Sequence, residues 1–273
     1  MNIYEKKEGL VIADSDLDIQ KTFDCGQCFR FDWQDDCLTG EAFGKVLNMQ
    51  STEDGVLLKN VSMAEYEEIW KHYLDMERDY ESIGRTISEF KGMADAAERG
   101  RGIHILNQDP WETLCSFIIS QNNNIPRIKK IIRSLCEMFG NEIEDTGRYS
   151  CPTAEVLATA GADRIYETRC GFRAKYLADA AEKVARGSID PNSLRLCSYE
   201  EAVTTLCTIK GVGLKVANCV ALFGLGHTEA FPVDVWIKRV LEKYFEPDFD
   251  PAVFGKHAGI AQQYLFYNER YSV

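Results

Sequence analysis

Lys215 and Asp234 are the two residues whose type and setting best suit covalent chemistry. Lys215 falls in the first turn of a predicted helix and is followed by the apolar residues Val216 and Ala217. A lysine that is partly desolvated near the positive end of a helix gives up its proton more easily and becomes a nucleophilic amine. Asp234 lies 19 residues later, at the predicted start of another helix, where a carboxylate caps free backbone amides. The residues alone leave open a solvated lysine and a purely structural cap.

The segment before Lys215 predicts a tight joint between two helices. Only a short link around Gly211-Val-Gly213 separates the predicted helices 198–209 and 214–223. Glycines permit positive φ angles and let the backbone come close to another molecule. Exposed amides at the start of a helix suit a phosphate. The pattern therefore favours a phosphate-binding hairpin, with a plain packing joint as the alternative.

The elements that must position these residues predict an α+β protein. An N-terminal antiparallel sheet domain (1–100) is followed by an all-helical domain (101–273) that carries the hairpin. The period of the apolar residues and the turn signals predict strands at 29–33, 46–49 and 56–61, turns at 34–40 and 53–55, a helix at 63–76 and a glycine-rich crossover at 84–105. Start and stop signals predict further helices at 111–121, 127–139, 153–159, 173–186, 198–209, 214–223, 234–245 and 251–268.

The composition is that of an ordinary globular protein, with 45% hydrophobic and 27% charged residues. The first residues contain no apolar run typical of a secretory signal, so we expect a cytoplasmic protein, associated with the nucleoid if it is prokaryotic. Ten scattered cysteines predict reduced, mostly buried thiols. Cys25 and Cys28 form the one close pair, but no second pair at zinc spacing accompanies them. We expect no metal and no cofactor.

The net charge of −12 argues against a protein that coats nucleic acid without specificity. Basic residues nevertheless cluster at 127–133 and 169–175. A contact with DNA should therefore use a limited basic patch.

Taken together, Gly211-Val-Gly213-x-Lys215 and Pro232-Val-Asp234 resemble the helix-hairpin-helix glycosylases, a family of DNA-repair enzymes. Within that family the chain is most similar to the 8-oxoguanine DNA glycosylases. The segments that carry this resemblance run in the family's order over nearly the whole chain: Gly26-Gln27-Cys28-Phe29-Arg30, Ser120-Gln-Asn122-Asn-Asn124-Ile-x-Arg127, Gly171-Phe-Arg173-Ala-Lys-Tyr176 and Ala261-Gln262-x-x-Leu-Phe266.

The resemblance implies a glycosylase that also cleaves the DNA strand. Its substrate would be double-stranded DNA containing a damaged purine, and we expect the enzyme to act as a monomer without contact to a membrane. The damaged base is swung out of the duplex into a pocket. Lys215 then attacks C1′ of the sugar, Asp234 stabilises the positive charge that develops there, and the resulting Schiff base permits β-elimination of the 3′ phosphate.

The same resemblance implies how the base is recognised. Gly26 would accept a hydrogen bond from the N7 proton that distinguishes 8-oxoguanine from guanine. Cys219 and Phe266 would hold the two faces of the base, and Gln262 would read its Watson–Crick edge. The alternatives are ordinary core packing for Cys219 and Phe266 and a simple turn for Gly26.

A further set of residues matches family positions that contact the opposite strand. Asn122, Arg127 and Arg173 would read the cytosine left behind, and Phe172, where relatives have tyrosine, would act as a wedge. Trp236 departs from the family's histidine, which puts that phosphate contact in doubt, and Cys28 replaces a small residue. Gly211 and Gly213 would bind a DNA phosphate.

Three other interpretations stay open on the sequence. The same chemistry could serve a different damaged base, the hairpin could belong to a non-catalytic DNA-binding module, or Cys25 and Cys28 could form a thiol redox centre. Retention of both Lys215 and Asp234 argues against the non-catalytic module.

Overall fold

Six antiparallel strands form one sheet in the N-terminal part of the chain, within residues 2–271, which the computed structural model describes. The sheet has the order β1-β2-β6-β5-β4-β3. Its strands are β1 (Asn2–Lys6), β2 (Gly9–Ala13), β3 (Phe31–Gln34), β4 (Cys37–Ala42), β5 (Lys45–Thr52) and β6 (Gly55–Lys59). Short turns join β3 to β4, β4 to β5 and β5 to β6. The predicted antiparallel sheet is confirmed.

Strand β4 corrects the turn predicted at 34–40. Only Asp35 and Asp36 form that turn, and pairing of β3 with β4 begins at Gln34 and Cys37. Gly40, whose residue type indicated a turn, lies inside the strand. Glycine suits this position because a Cβ there would come within 2.3 Å of the Phe31 ring. Most of β4 is buried on both faces, so the alternation that marks a half-exposed strand is absent.

The remaining regular elements of the described chain are helices. In chain order they are α1 (Ile19–Asp24), α2 (Met63–Glu65), α3 (Lys71–Tyr73), α4 (Tyr80–Ser88), α5 (Ala94–Gly100), α6 (Pro110–Ser120), α7 (Ile125–Phe139), α8 (Ala154–Ile165), α9 (Ala174–Ala185), α10 (Tyr199–Leu206), α11 (Leu214–Phe223), α12 (Val235–Tyr244) and α13 (Ala258–Tyr271). A π-helical turn, Tyr66–Trp70, joins α2 to α3, and 3-10 turns span Gly171–Arg173, Ser193–Leu196 and Pro251–His257.

Local capping signals explain why several helices begin where the sequence predicts. Asp109 accepts a hydrogen bond from the backbone N–H of Glu112 at 2.8 Å, and Pro110 occupies the first turn of α6. Ser198 and Glu201 form a capping box at the start of α10. These bonds satisfy amides that have no partner inside the helix.

The glycine-rich stretch 84–105 is not a crossover, because it contains α4 and α5. Their apolar residues, including Ile83, Ile87 and Ala97, are buried in the core of the helical body. Gly100 allows α5 to pack closely on α13, since a Cβ there would lie 2.3 Å from the Tyr264 ring. Glycine here permits close packing of two helices, whereas the sequence pattern indicated a break.

Two apolar cores support these elements. One lies between the sheet and the segment 63–76, and the other fills the helical body from Tyr80 onward. The chain crosses between the cores more than once, since Phe29 packs in the helical core and Leu106 in the sheet core. The division at residue 100 therefore stays a prediction. Within the described range, every helix is too short or too polar to traverse a bilayer.

Candidate active site

Lys215 and Asp234 both lie near the thiol of Cys219. Lys215 lies in the first turn of α11 and is half-buried, with its Nζ 5.2 Å from the centre of the Phe117 ring. Burial raises the pKa of Cys219; the positive charge and hydrogen bond of Lys215 lower it, and the charge of Asp234 raises it. Both groups are therefore within electrostatic reach of one buried sulfur. The predicted nucleophile and its carboxylate partner therefore lie near one thiol, and their catalytic roles stay predictions.

Asp234 is the N-cap of α12, as predicted. One of its carboxylate oxygens accepts a hydrogen bond from the backbone N–H of Ile237 at 2.8 Å. This bond fixes the side chain, and a carboxylate has a second oxygen with lone pairs of its own. Asp234 can therefore cap the helix and still face positive charge.

The hairpin that carries Lys215 uses its two glycines for different purposes. Gly211 has φ of +78°, and a Cβ there would lie 2.4 Å from the Tyr176 ring. Gly213 has φ of −103° and has no atom within 4 Å of a Cβ position, so its backbone angle does not require glycine. As the N-cap of α11 it has no side chain to bond the first amides. Those amides stay available to an anion, which is how the predicted phosphate contact would form.

The two glycines give a prediction that separates folding from DNA binding. Gly211→Ala is expected to lower the free energy of unfolding by about 1–3 kcal/mol, because the new Cβ meets an aromatic ring and the positive φ is strained. Gly213→Ala is expected to leave stability within about 0.5 kcal/mol while weakening duplex binding. Urea unfolding and fluorescence anisotropy of labelled duplex measure the two effects. Equal loss of stability in both variants would contradict this division.

Gly26 and Phe266 lie against one another at the junction of the sheet and the helices. Gly26 follows α1 with φ of +79°, and its Cβ position lies 3.5 Å from the Phe266 ring. The neighbouring residue Gln27 is fully buried, and its side chain anchors this turn through backbone groups: the carbonyl oxygens of Thr22 and His104 and the N–H of Leu106, each at 2.8 Å. The turn that presents Gly26 is therefore held from three sides.

Gln262 lies one turn before Phe266 on α13 and is 4% exposed. Its Oε1 accepts a hydrogen bond from Nε2 of the next residue, Gln263, at 2.7 Å. The structure thus places Gln262 and Phe266, two of the predicted base-recognition residues, on the helix that faces Gly26. Their roles toward a base stay predictions.

Arg173 shapes the loop after α6. Its guanidinium donates to the carbonyl oxygens of Gln121, Asn122 and Cys170, and it lies 4.4 Å from the centre of the Phe172 ring. Asn122 is exposed with φ of +46°, and Phe172 is 52% exposed. The geometry suits an exposed aromatic wedge beside an exposed amide. Most N–H groups of the Arg173 guanidinium donate to backbone carbonyl oxygens. To contact a base as predicted, Arg173 must therefore break some of these hydrogen bonds and form new ones with the base.

Two residues of the predicted basic cluster at 127–133 form ion pairs with the sheet, and within the described residues the others do not. Lys129 and Arg133 both pair with Asp32 of β3, at 3.0 and 2.8 Å. Arg127 is exposed and has no carboxylate partner among residues 2–271. Its nearby charge helps to lower the pKa of Arg173, for which burial is the larger cause. Arg127 and Lys130, which are both exposed, are therefore the members of this cluster best placed to bind a polyanion.

Trp236 lies in the first turn of α12, two residues after Asp234. It is half-exposed, and the guanidinium of Arg239 lies 5.5 Å from its ring. The sequence analysis left this position in doubt, and no contact in the structure assigns it a role.

Cys25 and Cys28 are buried thiols in this fold. Cys25 belongs to the helical core and Cys28 to the sheet core. Burial raises the pKa of Cys25 to about 12 and that of Cys28 well above its usual value. Since the thiolate is the reactive form, the redox interpretation loses its chemical basis.

The thiol burial gives a direct prediction. In the folded chain at pH 8, iodoacetamide is expected to leave Cys25 and Cys28 unmodified, and both should react once the chain is unfolded in urea. The partly exposed Cys37 and Cys197 serve as internal controls that react in the folded protein. Peptide mass spectrometry reads out each site. Rapid native alkylation of Cys25 would reopen the redox interpretation.

Sequence reasoning missed three residues that the structure places at the site. Phe117 faces Lys215, Gln27 anchors the Gly26 turn, and Gln263 bonds Gln262. Gln27 and Gln263 carried a usable signal, because each is a glutamine next to a predicted site residue. Phe117 is one of several apolar residues in α6, and such a run gives no hint of its neighbour.

Comparison with known families accounts for this arrangement. Residues 9–114 match the 8-oxoguanine DNA glycosylase N-terminal domain, and residues 115–252 match the HhH-GPD superfamily of base excision DNA repair proteins. The chain belongs to the HhH-GPD superfamily and carries the 8-oxoguanine glycosylase form of its N-terminal domain. The predicted family resemblance is confirmed.

Individual relatives agree with the family match. The chain is 31% identical over 267 residues to an N-glycosylase/DNA lyase of Saccharomyces cerevisiae, covering 87% of this chain and 70% of that protein. It resembles Clostridium acetobutylicum 8-oxoguanine glycosylase/lyase in complex with double-stranded DNA containing cytosine opposite 8-oxoguanine, with a TM-score of 0.93, 35% identity and coverage of 100% and 98%. A structure of MBOgg1 with a low-affinity DNA ligand gives 0.92, 42% identity and 98% coverage of both chains.

Proposed function

We propose that this protein is a bifunctional DNA glycosylase and lyase that removes 8-oxoguanine from double-stranded DNA. The observation that carries the proposal is that the Lys215 amine and the Asp234 carboxylate, each at the start of a helix, both lie within electrostatic reach of the buried Cys219 thiol. The names of the relatives supply the substrate class.

The chemistry follows from the two charged groups. The uncharged Lys215 amine forms a bond to C1′ as the glycosidic bond breaks, and the base leaves with the electron pair and takes up a proton. Asp234 stabilises the positive charge that builds on the sugar, as carboxylates do in other glycosidic cleavages. Opening of the sugar gives a Schiff base. Loss of a C2′ proton then expels the 3′ phosphate and cleaves the strand.

The pocket for the base is proposed to lie between Cys219 and Phe266. The Gly26 carbonyl accepts the N7 proton of 8-oxoguanine, whereas guanine would place a lone pair there. Such an unmatched polar contact costs roughly 1–3 kcal/mol. Because Phe266 now rests against Gly26, its ring has to move when a base enters. Gln262 reads the Watson–Crick edge.

The opposite strand is proposed to meet Asn122, Arg127 and Arg173, with Phe172 inserted where the base leaves the stack. Exposure of Asn122, Arg127 and Phe172 supports this placement. A preference for cytosine opposite the lesion follows. We propose that the protein acts as a monomer, and in the cytoplasm on the nucleoid if it is prokaryotic.

A panel of duplexes tests this proposal. Each duplex carries 8-oxoguanine, an alkylated purine or an oxidised pyrimidine opposite each of the four bases, and borohydride is added to trap the Schiff base. We expect the fastest trapping on 8-oxoguanine opposite cytosine. Preferred trapping on another lesion would support the alternative of a different damaged base, and binding without product would support the non-catalytic module.

A further inference from the structure

Two consecutive glutamines on α13 are buried side by side. Gln262 is 4% exposed and Gln263 is 3% exposed, in a stretch where Ala261, Tyr264 and Leu265 are buried as well. Nε2 of Gln263 donates to Oε1 of Gln262 at 2.7 Å. The other polar atom of Gln263, its Oε1, is buried without a hydrogen-bond partner in residues 2–271. A buried amide that is only half satisfied lowers stability, so its presence calls for a functional reason.

The pair has one preferred hydrogen-bonding direction. If both amides were turned over, Gln262 would donate to Gln263, and the buried position of the Gln263 oxygen would carry two N–H groups instead. Buried N–H groups without partners are rarer than buried carbonyl oxygens without partners. The observed direction leaves Nε2 of Gln262 and one lone pair of its Oε1 available to a ligand.

We propose that Gln263 is a positioning residue that fixes the hydrogen-bonding direction of Gln262 and thereby selects a guanine-type base edge. The inference rests on the proposed function, in which Gln262 meets the Watson–Crick edge of the base. A guanine-type edge offers the O6 acceptor beside the N1–H donor, which matches an amide fixed as donor and acceptor. An adenine-type edge offers a donor at N6 and an acceptor at N1, the reverse order. A glutamine whose side-chain amide rotates freely could bind either edge. A Gln262 amide that is hydrogen-bonded to Gln263 matches only the guanine-type edge.

Gln263→Met tests this role because methionine has a similar length and shape but cannot hold the Gln262 oxygen. We expect the ratio of single-turnover excision rates for 8-oxoguanine over 8-oxoadenine, each opposite the same base, to fall by about 10-fold. The strand-cleavage rate on base-free abasic DNA needs Lys215 but no base, and it is expected to stay within about 2-fold. The Tm should be unchanged or higher, because the variant removes a buried oxygen without a partner.

A double-variant cycle shows whether Gln263 acts through Gln262. In a Gln262→Met background, the further change Gln263→Met is expected to leave the excision ratio unaltered, since the amide to be positioned is gone. A second fall of similar size there would overturn the inference. An unchanged ratio in the single variant, or a lowered Tm with equal loss of excision and abasic-site cleavage, would overturn it as well. Failure of the unmodified chain to excise 8-oxoguanine would instead overturn the proposed function.

Discussion

Replacing Lys215 by glutamine is expected to reduce base excision by at least about 10³-fold and to abolish borohydride trapping. Glutamine keeps much of the length and polarity of lysine, but its amide nitrogen cannot attack C1′ or form a Schiff base. Lys215 is half-buried beside Phe117 and Cys219. Single-turnover excision on 8-oxoguanine duplex and gel detection of the trapped complex measure the effect.

The control for Lys215→Gln is Lys7→Gln, which removes the same charge from the exposed turn between β1 and β2. This control variant should keep its rate and its trapping. If Lys215→Gln still released base at an unchanged rate, water would be the attacking group, and the bifunctional mechanism would be wrong.

Replacing Asp234 by asparagine is expected to slow excision by about 10²–10³-fold, because the developing positive charge on the sugar loses its nearby carboxylate. The free energy of unfolding should change little, since asparagine is as good an N-cap as aspartate. Asp234→Ala removes both the charge and the bond to the Ile237 N–H. It should therefore slow excision to a similar degree and also lower stability by about 1 kcal/mol.

The two substitutions at Asp234 separate its two roles. Rates of excision and urea unfolding of both variants give the comparison. A full rate in Asp234→Asn combined with a slow Asp234→Ala would mean that the residue serves only as a cap. The account of a carboxylate acting on the sugar would then fail.

The elements that the sequence predicts well are those with local signals. The starts of α6, α10 and α12 follow from Asp109, Ser198 and Asp234, since an N-cap depends only on residues within one turn. The same locality made Lys215 recognisable, because its position in the first turn of α11 follows from the glycine hairpin before it. Candidate catalytic residues that lie in a short motif can therefore be identified from the sequence without knowledge of the fold.

Features that depend on distant partners escaped the sequence. Strand β4 is buried on both faces, and Glu41 within it pairs with Arg30, which also bonds Glu112 of α6 at 3.0 Å. Gly40 in sequence indicates a turn, and only the distant partners explain this strand: the Phe31 ring leaves no room for a Cβ at Gly40, and the buried Arg30 pairs with Glu41. The bond of Gln27 to Leu106 and that of Arg173 to Gln121 were missed for the same reason, because each joins groups whose proximity the fold creates.

The most direct test identifies the atom that bonds to DNA. The protein is incubated with 8-oxoguanine duplex in the presence of borohydride, the trapped complex is digested, and the modified peptide is sequenced by mass spectrometry. The account predicts a single reduced sugar adduct on the Lys215 side chain. An adduct on another lysine or on the terminal amine, with Lys215 unmodified, would contradict it.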